Sequence, residues 1–474
     1  MPAIVYQKDK RSGITYAYHS ISFWDKEKKQ SRAHRTLIGR VDPLTGEIVP
    51  TDGRNRKKGE DKIPSKPGRP SFDCRKRSFY GATYLLDALG EKLGITQDLK
   101  QCFPETYKQI LSLAYFLILE DSTPLYRFEK WGILHKHPYG DDITSERSIE
   151  LFARITDENK LRFFTLQEKR REEQEFWIYG TTTLSSYSET LRKVQDGCNK
   201  EHDQLPQLKL ALVFGQNSNI PFYYRNLAGN IPDSKDINHL LEDLEILGYS
   251  RVKLVMDRGF YSEQNSNCLY QNHVKFLVSA KMSLNFIRNE LDAIYDTFRS
   301  FDNYNDRYAL YCRSVQTSWN YMQKSPHISD SLEESHSVSI HFYYNIDQAT
   351  EEEKDFDREL MTLRHELESG QRIQQHEKLY QQYITWKTTP KRGTQVIVRE
   401  ESVIDAKRYF GFFALITNET MDAVTALELY RNKDVVEKAF GNLKERLNMR
   451  RTLVSSEQSL DGKLFIQFVA LIYL

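Results

Sequence analysis

Val252-Lys253-Leu254-Val255-Met256-Asp257-Arg258-Gly259-Phe260-Tyr261-Ser262 opens as a short apolar, β-branched run and closes on an acid, a glycine and a serine. The run reads as a buried strand, with Asp257 at its carboxyl end and Ser262 as the N-cap of a following helix. Just before it, Ile237, Leu240, Leu241, Leu244 and Leu247 recur at helical spacing across Ser234 to Tyr249. A helix that feeds a strand in this way is a crossover, so at least one strand pair is parallel. In an open α/β sheet, an acid at the carboxyl end of a strand faces the crevice where ligands and metals bind. Asp257 alone is also compatible with an ordinary turn residue.

Further strands flank this unit. Upstream lie Phe176 to Tyr179, Leu208 to Phe214 and Pro221 to Tyr224, and downstream lies Lys275 to Ser279. Together they predict the first part of an α/β core over residues 173–282. Residues 80–172 are helical in pattern, with Leu85, Leu86, Leu89 and Leu93, then Ile110, Leu113, Ala114 and Leu117, three or four apart. Residues 1–53 read as a small β-rich accessory domain, because Ile14 to Tyr18 alternates and Asp42-Pro43-Leu44-Thr45-Gly46 is a turn signal. Residues 283–405 mix alternating and charged helical stretches and read as a β-rich insertion. Residues 406–474 return to the core with a strand at Phe410 to Thr417 and a long helix from about Asp422 to Leu447.

That helix carries Tyr430, Lys433, Glu437 and Lys444, which at about 100° per residue share one face roughly 60° wide. Val436, Ala439, Phe440, Leu443 and Leu447 form the adjoining apolar face, so the polar stripe borders buried surface. A carboxylate flanked by lysines and a tyrosine suits metal ligation beside phosphate. An exposed face with Lys433–Glu437 as an i,i+4 pair accounts for the spacing equally well.

The chain has 474 residues, 39% hydrophobic and 12% aromatic, enough for about three domains or one large interrupted one and far too apolar for a disordered protein. Its 67 basic and 66 acidic residues nearly cancel, which excludes a uniformly basic nucleic-acid binder but not a locally basic one. Residues 54–79 hold the local excess: from Arg54 to Arg77, ten Lys or Arg against three acids give +7. Pro64, Pro67, Gly68 and Pro70 make this segment extended, and Lys66-Pro67-Gly68-Arg69-Pro70 reads either as an arm for an A·T-rich minor groove or as a solvated linker. Five scattered cysteines offer neither a disulfide framework nor a zinc spacing. The longest apolar stretch of the first half is too short for a bilayer, and the first residues have no signal-peptide pattern, so a membrane location is not expected. The histidines form no His-Glu-x-x-His cluster, and Ser185-Ser186 is not in a nucleophile elbow.

Taken jointly, the motifs resemble those of bacterial insertion-sequence transposases of the DDE type. The branch concerned is insertion-sequence-four-like, with a tail of Tyr, two residues, Arg, three residues, Glu, six residues, Lys. Here the tail reads Tyr430, Lys433, Glu437, Lys444, with Lys for Arg and every spacing kept. Asp257-Arg258-Gly259-Phe260, Tyr223 to Asn230 and Tyr179 to Ser188 match the same branch, and the resemblance runs from about residue 5 to the end. It implies a ribonuclease H-like core in which three carboxylates hold two Mg²⁺ ions, replaceable by Mn²⁺, for in-line phosphodiester cleavage and strand transfer. Asp257 would be the second acid and Glu437 the third.

At the first acid the sequence departs from the family. Where the family has Asp, any residue, Thr, this chain has Gly180-Thr181-Thr182. A glycine offers no side-chain ligand, and Glu175, five residues upstream, falls on the opposite sheet face. The resemblance therefore predicts a protein impaired in strand cleavage.

The resemblance further implies binding of double-stranded DNA, both terminal inverted repeats and target, with 80–172 as the end-binding domain. Arg258, Tyr430, Lys433, Lys444 and Arg446, with Lys66 and Arg69 of the arm, would contact DNA. It also implies a homodimer on DNA and a bacterial cytoplasmic, nucleoid-associated location. Two other readings stay open: a catalytically dead, transposase-derived DNA-binding protein or repressor of transposition, and a metal-dependent nuclease without strand joining. The chain ends inside the apolar run Leu464 to Leu474, which fits either a truncated chain or a buried terminal helix.

Overall fold

The computed structural model describes residues 3–51, 77–169, 175–197, 205–249, 252–323, 332–389, 393–454 and 456–474. Lys66 and Arg69, and the basic arm from 52 to 76, lie outside the described residues. The chain divides into two units, Met1–Lys76 and Arg77–Leu474.

The first unit is a four-stranded antiparallel sheet of β1 (Ala3–Lys8), β2 (Thr15–Asp25), β3 (Gln30–Val41) and β4 (Ile48–Val49), paired in chain order. The β3–β4 turn forms where the sequence signals it. Asp42 accepts the Leu44 N–H on its side chain and the Gly46 N–H on its carbonyl, and Gly46 takes φ +72°, a conformation that favours glycine.

The second unit begins with six helices, α1 (Gly81–Leu93), α2 (Ile95–Cys102), α3 (Tyr107–Leu119), α4 (Phe128–Leu134), α5 (Ser145–Arg154) and α6 (Asp157–Glu168). Thr144 and Thr156 cap α5 and α6 by accepting the N–H groups of Arg147 and Asn159. Next come β5 (Phe176–Ser186), β6 (Gln207–Gly215), β7 (Pro221–Ala228), α7 (Asp233–Ile246), β8 (Lys253–Met256), α8 (Glu263–Gln271) and β9 (Lys275–Ala280). Strands β5, β6 and β7 form an antiparallel meander, and α7 and α8 are the crossovers that set β8 parallel to β5 and β9 parallel to β8. Pro221, which lacks an N–H to donate, begins β7 at the end of the sheet, where none is needed.

The segment 283–405 does not stand apart from this sheet. After α9 (Asn285–Phe298) and β10 (Tyr304–Asn305), its two long strands β11 (Leu310–Gln323) and β12 (Leu332–Tyr344) continue it. The resulting order is β10-β11-β12-β15-β9-β8-β5-β6-β7, with β15 (Phe412–Thr417) bridging β12 and β9. What lies outside the sheet is α10 (Ile346–Ser369), α11 (Glu377–Tyr383), the hairpin β13 (Ile384–Thr389) and β14 (Gly393–Val398), and α12 (Glu400–Lys407). These have a small core of their own around Phe356, Leu363, Tyr380 and Ile384.

The expected single helix from Asp422 to Leu447 is three pieces: α13 (Ala423–Arg431), α14 (Asp434–Gly441) and a π-helical turn at Asn442–Arg446. β16 (Arg451–Thr452) then pairs with β5, and α15 (Glu457–Tyr473) closes the chain. The apolar run at the end is the buried body of α15. Phe465 meets Phe103 and Phe163, and Phe468 meets Phe164 and Tyr224, at ring separations of 5.0 to 5.6 Å. That aromatic packing joins the helical region to the sheet in one hydrophobic core. No described helix is long and apolar enough to cross a membrane.

Candidate active site

Strands β5 and β8 pair in parallel up to Tyr179 opposite Met256, so the next residue on each strand is Gly180 and Asp257. The turn after β8 is held by apolar packing and by capping. Phe260 is buried against Tyr179 with ring centres 5.0 Å apart, Asn265 donates to the Phe260 carbonyl, and Ser262 caps α8 as its sequence position predicts. Helix α14 lies against β5 with Val436 and Ala439 buried. A Cβ at Gly180 would stand 2.8 Å from Val436 Cγ1 and 3.3 Å from Phe440 Cε2, so the missing side chain is what lets the helix approach the strand this closely.

Gly180, Asp257, Lys433 and Glu437 line one cavity of about 180 Å³. Within it, Asp257 Oδ1 accepts three hydrogen bonds, from the Tyr430 hydroxyl at 2.7 Å, the Arg258 N–H at 2.8 Å and Lys433 Nζ at 3.3 Å. The same ammonium reaches Glu437 Oε1 at 3.5 Å, so it bridges the two carboxylates. Partial burial raises the Asp257 pKa, but these donors outweigh it and hold the carboxyl below its ordinary range. Burial alone lowers the Lys433 pKa, yet Tyr430 and the Asp257 charge raise it overall, so the side chain stays an ammonium. Tyr430 is pushed up, first by burial and then by the neighbouring Asp257 charge.

The structure thus brings Gly180, Asp257, Lys433 and Glu437 to one cavity, with Tyr430 reaching Asp257 from outside its lining, and of the other described candidates Arg258, Lys444 and Arg446 do not line it. Arg258 contributes its backbone N–H to Asp257, while its side chain is exposed. Lys444 and Arg446 follow α14 in the π-helical turn, past the residues that line the cavity. The Arg446 carbonyl accepts the Ser122 N–H at 2.9 Å, tying that turn to the helical region. Glu175 is spent elsewhere: buried, it accepts from the backbone of Asn217 and Ser218 and from the Ser218 hydroxyl.

One cavity residue, Asp233, was not visible as a site residue in the sequence. At the first position of α7, it accepts from Thr181 Oγ1 at 2.9 Å and pairs with Lys209 Nζ at 2.8 Å. The available signal was Lys209 itself, a charge in the middle of the otherwise apolar strand β6, buried and therefore in need of a carboxylate.

The residues present do not fit a divalent-metal centre. Mg²⁺ needs oxygen ligands converging on one point, whereas here an ammonium bridges the two carboxylates and the adjacent strand position has no side chain. Asp233 is neutralised by Lys209, and no group of three or more His, Cys, Asp or Glu among the described residues is placed to hold a metal ion.

Comparison with protein families gives a match to the transposase DDE domain over residues 179–473, more than half of the chain. The chain belongs to that family. The matched span begins at Tyr179, beside Gly180, and includes Asp257 and Glu437. Among solved structures, the piggyBac transposase synaptic complex with hairpin DNA matches with 10% sequence identity and a TM-score of 0.34, over 81% of this chain and 64% of that one. Comparison with curated proteins gives no match.

Proposed function

We propose that this transposase-domain protein binds the DNA ends of its element and positions them at the Asp257–Lys433–Glu437 cavity, but lacks most or all strand-cleavage activity. The observation that carries this is Gly180, which borders the two carboxylates and supplies no third one. The meander β5-β6-β7 followed by parallel β8 and β9 supports a ribonuclease H-like core of the insertion-sequence-four-like branch. In that core Gly180 stands where an acid would.

DNA affinity in this reading comes from cations on backbone phosphates and falls steeply with salt. Lys433 lines the cavity, and Arg258, Lys444 and Arg446, with Lys66 and Arg69 of the basic arm, are the further phosphate contacts of this reading. The bound form is a homodimer, because two ends are brought together. A second reading, a DNA-binding repressor that occupies element ends without processing them, is favoured by the same Gly180.

The test is cleavage of duplex DNA carrying the element's ends, in Mg²⁺ or Mn²⁺, by this chain and by Gly180→Asp. Cleavage by the variant alone supports a disabled transposase. Cleavage by both overturns the inactivity, and cleavage by neither with intact binding supports the repressor.

A further inference from the structure

Away from the cavity just described, a larger one of about 650 Å³ opens between the helical region and the C-terminal helix α15. Its walls are largely apolar, with Leu125, Ile149, Phe152 and Leu453 among them. Lys463, on α15, projects into this lining although the residue is only 8% exposed. No carboxylate or hydrogen-bond acceptor among the described residues pairs with its ammonium, and burial alone shifts its pKa, down to about 8. Gln467 Oε1 and Thr452 Oγ1, of two further lining residues, are buried without partners behind the cavity surface. The Gln467 amide is nonetheless fixed in orientation, because its Nε2 donates to the Leu447 carbonyl at 2.7 Å.

A buried ammonium without a counter-charge is costly, and so are buried oxygens without donors. An unpaired lysine in the wall of an apolar cavity is complementary to a ligand carrying an anionic head for Lys463 and an apolar or aromatic body for the walls. A cavity of this volume lies within the usual range for small-molecule sites. Tyr126 also lines it and is more than half exposed, so its ring can cover the body of a bound molecule, while the Tyr187 ring is held under the Arg451 guanidinium.

We propose that this cavity binds a small organic anion, a carboxylate or phosphate monoester with an apolar or aromatic body, with Lys463 as its counter-ion. The site is independent of Gly180 and of strand cleavage.

The test uses the full chain and two probes, indole-3-acetate and 5′-AMP, followed by calorimetric titration. Binding of either probe that weakens at least about tenfold in Lys463→Met, the equivalent of 1.4 kcal/mol, is the expected result. Ile149→Trp, which fills the cavity from its exposed wall, should weaken the same probe and leaves the lysine in place. In parallel, limited acetylation read by peptide mass spectrometry should show Lys463 protected by the probe while surface lysines are not. Unchanged affinity in both variants, or no protection of Lys463 at millimolar probe, overturns the proposal. So does protection by duplex DNA alone, which would make the lysine a phosphate contact of the polymer.

Discussion

Replacing Gly180 by Asp should first destabilise the protein and then make it responsive to metal. The new Cβ would sit 2.8 Å from Val436 Cγ1 and 3.3 Å from Phe440 Cε2, so Val436 or the helix must yield by a few tenths of an ångström. Overpacking of this kind costs about 1–3 kcal/mol. A unit spanning Arg77–Leu474 loses less per kcal/mol than the roughly 2–4 °C typical of smaller domains, so the expected fall in Tm in EDTA is about 1–6 °C. The added carboxylate also completes a three-acid set with Asp257 and Glu437. An ion held at a hundredfold excess over its Kd then returns about 2.7 kcal/mol. The assay is thermal unfolding in EDTA, Mg²⁺ and Mn²⁺, with Gly180→Ala as the control that adds the Cβ without the charge. Gly180→Asp should recover with metal, whereas Gly180→Ala and the parent chain should not. Equal metal stabilisation of the parent chain and Gly180→Asp would refute the three-acid reasoning, because it would mean that the ligands are already complete without residue 180.

Asp233→Asn leaves Lys209 buried without its carboxylate, a loss expected at about 3–5 kcal/mol by denaturant unfolding, with Lys209→Met restoring much of it in the double variant. Tyr430→Phe removes a donor that lowers the Asp257 pKa. The carboxyl is half exposed, so the loss should stay below about 1 kcal/mol, present above the ordinary carboxylate range and vanishing as pH falls through the lowered pKa. Lys463→Met should stabilise, because the native ammonium is held near pKa 8 against an unfolded value near 10.5. The cost of burying the charge, at most about 3 kcal/mol, is complete below pH 8 and fades as pH rises toward the unfolded value. A gain in unfolding free energy at pH 7 that shrinks by pH 10 is the expected profile. Alanine at Lys66 and Arg69 should weaken DNA binding and reduce its salt slope by about two; an unchanged slope makes the arm a linker.

The strands around Asp257, the crossover helix α7 and the Ser262 cap were legible because each depends on residues close in sequence. Periodicity marks the burial of a helix face, and a serine after a strand-end turn marks a cap. The break between α13 and α14 was not legible, since Asn432-Lys433 contains neither Gly nor Pro and the apolar spacing runs through it. The addition of β11 and β12 to the main sheet was equally hidden. The pairing of β12 with β15 joins residues about 70 apart, Phe342 with Ala414 for example, and long-range pairing leaves no local mark. Asp233 escaped notice for the same reason: its partner Lys209 lies two elements earlier.

The charges at the cavity are already nearly balanced. Asp257 and Glu437 with Lys433 between them sum to −1, and each carboxylate already has a cationic neighbour. A third carboxylate at position 180 would bring the sum to −2 with no further cation, and mutual repulsion at short range would then favour a bound divalent ion. Glycine at that position removes both the ligand and the electrostatic demand for a cation, and it lets α14 settle against β5. The same reduction in negative charge lowers the repulsion that a phosphodiester backbone meets at the cavity mouth. On the proposed reading, a glycine at position 180 therefore weakens the grounds for cleavage without weakening the grounds for holding DNA.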